Sequence, residues 1–182
     1  MASQSPRRAQ LLAQMDIPFV VVPSDADESI AGEPEEMVRA LAVRKARGAK
    51  VNSGWVLAAD TLVFLNGKPL GKPKSAQDAE NMLRALSGRT HQVLTGLCLR
   101  NAETEALLTR VDGAAVVFDE MTESEIKSYV ASGEPLDKAG AYGIQGRGGA
   151  YIQAIRGDYY AVVGLSLRGV RALLKEAAIM ED

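Results

Sequence analysis

The spacing of apolar and polar positions changes several times along the chain, and each change predicts an element. "SPRRAQLLAQM" has a helical period, with Ser5 as N-cap and Pro6 at the first helical position. "FVVVP" reads as a short strand ended by Pro23. A helix is expected from about Pro34 through Lys50, followed by a strong apolar strand, "WVLAADTLVFL". Asn66-Gly67 is the clearest short hairpin signal and turns that strand back through "KPLGKP". "SAQDAENMLRALSG" is a capped helix stopping at Gly88. Two β-rich segments follow, "THQVLTGLCLR" and "LLTRVDGAAVVF", and then a helix in "TESEIKSYVASG" opened by a Thr122–Glu125 capping box. "GEPLDKAGAYGIQG" is too dense in turn formers for a helix or a strand. "AYIQAI", "YYAVVGL" and a closing helix, "LRGVRALLKEAA", complete the chain. Helices and strands interleave, and the hairpins exclude a purely parallel sheet. No repeat or linker divides the chain, so residues 1–182 are read as one domain.

Composition narrows the class. With 47% hydrophobic and 24% charged residues and a net charge of −2, the chain has the profile of a soluble globular protein. The lack of basic excess argues against binding nucleic-acid polymers. One cysteine, Cys98, and one histidine, His91, exclude an internal disulfide and a Cys/His zinc cluster. No apolar run reaches the roughly 20 residues that span a bilayer. The N-terminus is polar within a few residues of Met1 and lacks a signal peptide's apolar core, and a cytoplasmic protein without membrane partners is expected.

Against that background a few charges stand out. Asp60 is the one carboxylate inside "WVLAADTLVFL", a strand apolar enough to be buried on both faces. An ionised carboxylate there is costly unless paired, hydrogen-bonded or metal-bound, which favours a catalytic role over a structural one. Thr61 points to the opposite face, toward either a ligand or a neighbouring strand. Lys45 lies on the apolar stripe of its helix with Val38, Leu41, Ala42, Ala46 and Ala49. It either snorkels outward or directs its ammonium into a cleft. His91 sits inside an expected strand and is assigned to structure rather than to base catalysis.

Further charges suit phosphate. Arg7 and Arg8 occupy the first turn of a helix, where the macrodipole disfavours cations but an anion would be welcome. "GKP" holds Lys72 in a tight turn, Arg89 follows a helix end, and Lys138 lies in the glycine-rich loop. Asp25, Asp27 and Glu28 in "SDADES" offer oxygen ligands for a hard divalent cation. Together these predict a polyanionic ligand. Neither a GxxxxGK[ST] loop nor GxGxxG is present, so the commonest nucleotide-binding motifs are excluded.

"SQSPRRAQLL", "SDADE", "LAADTLVFLNGKPLGKP", "LSGRTHQVLTG", "GEPLDKAGAYGIQG" and "YYAVVGLSL" resemble, in order, the segments of the Maf family. The resemblance runs essentially end to end. It implies an α/β fold with an elongated mixed sheet flanked by helices, in two lobes around a central cleft, distantly related to inosine triphosphate pyrophosphatases. It also implies a cytoplasmic nucleoside triphosphate pyrophosphatase that clears unusual or surplus nucleotides, from a family first linked to inhibition of septum formation. Asp60 matches the catalytic aspartate. Arg7, Thr61 and Gln145 match positions linked to substrate choice, and Glu28, Lys45 and Lys72 match further charged residues of the cleft. Ser5, Arg8, Arg89 and Lys138 are counted with the substrate-binding set, and Glu28 with Asp60 as metal ligands for Mg²⁺ or Mn²⁺. "DKAGAYGIQG" resembles the branch acting on dTTP and UTP, so this loop is expected to hold the base through Gln145. The rival expectations are a 7-methyl-GTP or modified-nucleotide pyrophosphatase and a nucleotide-sensing regulator of division. A homodimer is carried as one option for the assembly. Three departures from the family pattern are visible. Only Met1 and Ala2 precede the first motif, so a strand is either missing or begins upstream. Asp158 stands for a usual Ser, and Ser166 for a usual Pro.

Overall fold

A computed structural model describes residues 1–27 and 29–181. The elements are α1 (Pro6–Ala13), α2 (Pro34–Gly48), β1 (Trp55–Leu65), β2 (Lys68–Leu70), α3 (Ala76–Leu86), β3 (Thr90–Asn101), β4 (Leu107–Phe118), α4 (Glu123–Ala131), β5 (Ile152–Gly157), α5 (Tyr159–Val163) and α6 (Leu167–Glu176). Five strands form one sheet in the order β2-β1-β3-β4-β5. β1 and β2 pair antiparallel, with Val63 opposite Leu70, as the Asn66-Gly67 turn requires. β3 and β4 are neighbours joined by five residues, a connection short enough only for an antiparallel pair. β4 and β5 are also antiparallel, with Val116 opposite Ile155 and a register shift between Val117 and Phe118. Parallel pairing enters through single bridges from Ala2 to Val22 and to Ala58.

The chain forms two compact units, and β1, β3 and β4 each run through both. The first unit comprises residues 1–61, 94–112 and 160–182 and holds α1, α2 and α6. Its core is built from small side chains: Ala42 and Ala46 of α2, and Ala49 just after it, pack with Val56 and Ala58 of β1, Cys98 of β3, and Ala2. Small residues let the helix backbone sit low on the sheet. At Gly96 of β3 a Cβ would collide with the Val38 carbonyl of α2, so only glycine allows this approach. The predicted helix ends at Gly48 rather than Lys50, because Ala49 turns extended and bridges Ser24.

The second unit comprises residues 62–93 and 113–159 and holds β2, α3, α4 and β5. Ser75 caps α3 by accepting from the Asp78 N–H, and the Thr122–Glu125 capping box of α4 is complete. Arg84 of α3 reaches Glu123 of α4 at 2.7 Å. Phe64, Leu83, Leu86, Phe118, Ile126 and Tyr129 supply the largest buried side chains of this unit.

Two segments differ from the sequence-based expectation. "FVVVP" is not a strand: Val22 makes one bridge to Ala2, while Val20 is 74% exposed. A β-rich composition cannot form a ladder where a single residue is available to pair. The first five residues of "YYAVVGL" form the short helix α5. Two of the three departures from the family pattern are absorbed locally. Ser166 caps α6 by accepting from the Gly169 N–H at 2.9 Å. The Ala2 N–H donates to the Leu57 carbonyl at 2.8 Å, so a short β-like contact precedes the first motif.

Candidate active site

Asp60 lies within β1 and is 6% exposed. Burial of that strand leaves its carboxylate little water, and an ammonium supplies the compensation: Lys45 of α2 donates directly to Asp60 Oδ1. Of the two placements open to Lys45, the inward one is taken. The helix end that carries Lys45 is itself tied down. Its backbone carbonyl accepts from Ser24 Oγ at 2.7 Å, and the next carbonyl, of Ala46, accepts from Arg100 Nη1 at 3.0 Å. Carbonyls in the last turn of a helix have no intrahelical partner, so these two side chains satisfy groups that would otherwise need solvent. Arg100 is in turn paired with Glu105 at 2.7 Å.

Thr61 faces the other side of β1, as strand alternation demands. Arg8 of α1 donates to Thr61 Oγ1 at 3.1 Å and to the Gly164 carbonyl at 2.8 Å. Thr61 and Thr95 hydroxyls lie 2.7 Å apart, and Thr95 donates to the Ala161 carbonyl at 2.7 Å. A carbonyl can only accept, so the Thr95 proton is committed there and Thr61 must donate to Thr95. The chain of donors therefore runs from Arg8 through Thr61 and Thr95 to the backbone of α5. Of the alternatives open to Thr61, the neighbouring strand is contacted through Thr95, and Arg8 is held in place by the same hydroxyl.

In the first unit the structure thus brings together Lys45 with Asp60, and Arg8 with Thr61. Ser5 is the N-cap of α1 without a side-chain cap bond, and Arg7 is exposed with no side-chain partner among the described residues. Glu28 lies outside the described residues. Lys72, Arg89, Lys138 and Gln145 belong to the second unit. Lys72, Arg89 and Gln145 are exposed, with no side-chain hydrogen bond among the described residues. Lys138 is engaged inside its own loop, donating to the Glu134 carbonyl at 2.9 Å and pairing with Asp137 at 2.6 Å. The loop is anchored beside Lys72, since the Gly140 N–H donates to the Gly71 carbonyl at 3.1 Å.

His91 is 2% exposed and its Nε2 lies 2.7 Å from the Tyr142 hydroxyl, with the Phe118 ring packed alongside at a tilt. Burial pushes its pKa down to about 4, so the ring is neutral near pH 7. Sequence reasoning passed over Thr95, Arg100 and the buried Asp112, which pairs with Arg110 and Arg168. Each is a polar residue in an otherwise apolar or alternating strand, the same signal that singled out Asp60.

Among the described residues, no three His, Cys, Asp or Glu side chains group as a metal cage. Magnesium is commonly held by one or two carboxylates, with substrate phosphates and water filling its shell, and Asp60 fits that mode.

A family model described as "Maf-like protein" matches residues 1–177. The chain belongs to the Maf family. Among Maf relatives, the dTTP/UTP pyrophosphatase of Anaeromyxobacter dehalogenans strain 2CP-C is 51% identical over 181 residues, covering 97% of this chain and 92% of its own length. That of Symbiobacterium thermophilum is 48% identical over 180 residues, with 97% and 92% covered. That of Bacillus cytotoxicus is 46% identical over 180 residues, with 97% and 93% covered. Among the described residues of this Maf protein no helix is long and apolar enough to cross a membrane.

Proposed function

We propose that this Maf protein is a pyrophosphatase that hydrolyses dTTP and UTP to the monophosphate and pyrophosphate, working as one nucleotide-processing domain in the cytoplasm. The observation that carries this is the near full-length similarity to relatives that share one printed name, dTTP/UTP pyrophosphatase. The chemistry of the residues agrees with it. Asp60, buried and charge-paired, is the proton acceptor for the attacking water. As the water oxygen forms its bond to the α-phosphorus, the bond from that phosphorus to the bridging oxygen breaks and pyrophosphate leaves with the electron pair. Lys45 holds the carboxylate in one orientation. Arg7, Arg8, Lys72 and Arg89 supply positive charge for the triphosphate, in the role arginine and lysine serve best. A divalent ion, Mg²⁺ or Mn²⁺, when bound by Asp60 and Glu28, would neutralise phosphate charge.

The test is pyrophosphate release from dTTP, UTP, CTP, GTP, ATP and 7-methyl-GTP with Mg²⁺ or Mn²⁺. Fast release from dTTP and UTP supports the assignment; a preference for 7-methyl-GTP or no turnover overturns it. Gln145, exposed in the glycine-rich loop, is proposed to read the pyrimidine edge. Gln145→Ala is then expected to narrow the preference for dTTP and UTP over GTP about tenfold or more. Unchanged kcat/KM ratios would return Gln145 to the surface. Arg7→Ala and Lys72→Ala are expected to raise KM without lowering Tm. Arg7→Ala should be neutral or slightly stabilising, since a cation leaves the first turn of α1. Wild-type kinetics in both variants would remove these residues from the site.

A further inference from the structure

The glycine-rich loop is wound around one carboxylate. Gly143 to Gly146 is a tight turn, closed by the Gly146 N–H donating to the Gly143 carbonyl at 3.2 Å, with Ile144 and Gln145 as its two central residues. Both ends of this turn are held from the same side. On the near end, the Gly143 N–H donates to Tyr129 Oη at 3.1 Å, and the Tyr129 hydroxyl donates to Glu134 Oε1 at 2.8 Å. On the far end, the Arg147 N–H donates to Glu134 Oε2 at 2.9 Å and the Gly148 N–H to Glu134 Oε1 at 3.2 Å. Glu134 therefore binds the backbone two and three residues after Gln145 directly, and the backbone two residues before it through Tyr129.

Space makes the same point. A Cβ at Gly146 would fall on the Glu134 carboxylate, and one at Gly148 on the Tyr129 hydroxyl. These glycines admit the clamp itself. Burial pushes the Glu134 carboxyl up, but the Arg147 N–H, the Tyr129 hydroxyl, the Gly148 N–H and the Lys138 charge together hold it below the usual range. An ionised carboxylate with three donors fixes a turn far better than a neutral acceptor would. The Gln145 side chain has no hydrogen bond of its own among the described residues, so its placement is set by the backbone of the turn.

We infer that Glu134, with Tyr129 as its relay, is a positioning residue for Gln145 and so sets how sharply the enzyme separates pyrimidine from purine triphosphates. The inference rests on Gln145 as the base reader proposed above. A residue that merely stabilised the loop would change Tm or total activity and leave substrate ratios alone. A positioning residue changes the ratios.

Glu134→Gln keeps the volume but turns one acceptor oxygen into an NH₂, which then faces an N–H or O–H donor. Tyr129→Phe removes the relay while keeping the ring in the core. The experiment measures kcat/KM for dTTP, UTP, CTP and GTP in wild type, Gln145→Ala, Glu134→Gln and Tyr129→Phe, with circular dichroism and Tm for each protein. The expected result is that folded Glu134→Gln narrows the dTTP-to-GTP ratio about tenfold, approaching Gln145→Ala, with Tyr129→Phe shifting it less in the same direction. If Gln145→Ala erases the preference while Glu134→Gln and Tyr129→Phe keep the wild-type ratio, the positioning role is overturned and base reading stands. If wild type has no preference, or Gln145→Ala keeps it, base reading fails and the positioning role falls with it. Should Glu134→Gln not fold, the Tyr129→Phe ratio alone decides.

Discussion

Asp60→Asn is expected to lower kcat by at least about 10²-fold while the protein remains folded, the order a general base contributes. Asparagine occupies the same volume in β1 and still offers Oδ1 to Lys45, so the contact with the ammonium survives in neutral form. What disappears is the ability to take a proton from water. The neighbouring strand residues Ala58 and Ala59 are buried and apolar, so the exchange is felt chiefly at Lys45, whose ammonium keeps a hydrogen-bond acceptor but loses its counter-charge. The measurement is steady-state pyrophosphate release with dTTP, beside a circular dichroism spectrum of the variant. Turnover near the wild-type rate in a folded Asp60→Asn protein would remove Asp60 from the chemistry and leave the Lys45–Asp60 pair a structural one.

Stability is expected to rise by up to about 3 kcal/mol as pH increases from 4 to 6.5, owing to His91. The sign follows from the direction of the shift. Burial lowers the folded-state pKa of His91 from 6.5 to about 4, so within that window the unfolded chain binds a proton that the native state refuses. More protons on the unfolded state means that stability climbs with pH through the window and is flat above it. The groups packed on the ring are Phe118 and Tyr142, and the Tyr142 hydroxyl, itself raised by burial, stays neutral. Neither of these rings brings a negative charge that would reward an imidazolium. Carboxylates held low, such as Glu134, act with the same sign but only below their ordinary value of 4.5. Urea unfolding at half-unit steps from pH 5 to 7 isolates the histidine part when wild type is compared with His91→Gln. The N-terminal amine, also lowered by burial, contributes equally to both proteins. A slope between pH 5 and 6.5 that persists in His91→Gln would show that the ring is not the source.

Much of this was legible from local chemistry. Caps, turns and periodicity are properties of a few neighbouring residues, and Ser75, Thr122 with Glu125, and Asn66-Gly67 do in the structure what their types dictate. A lone carboxylate in an apolar strand signals a partner because desolvation cost depends on burial alone, which the pattern around Asp60 already implied. Helical spacing likewise placed Lys45 on the buried stripe of α2. It could not say whether the ammonium turns out to water or inward, because that depends on which strand lies beneath the helix. The tertiary structure decided it by setting α2 low over Gly96 and Ala58, within reach of Asp60. The same limit applies elsewhere. "FVVVP" has strand composition, but pairing is supplied by other parts of the chain, and among the described residues only Ala2 bridges it. Thr95 and Glu134 look ordinary in sequence; their partners Thr61 and Gly148 are 34 and 14 residues away. Hydrogen bonds between such distant groups exist only once the fold has closed the loops between them, so the donor chain behind Arg8 and the clamp behind Gln145 were written into the sequence but decided by the tertiary structure.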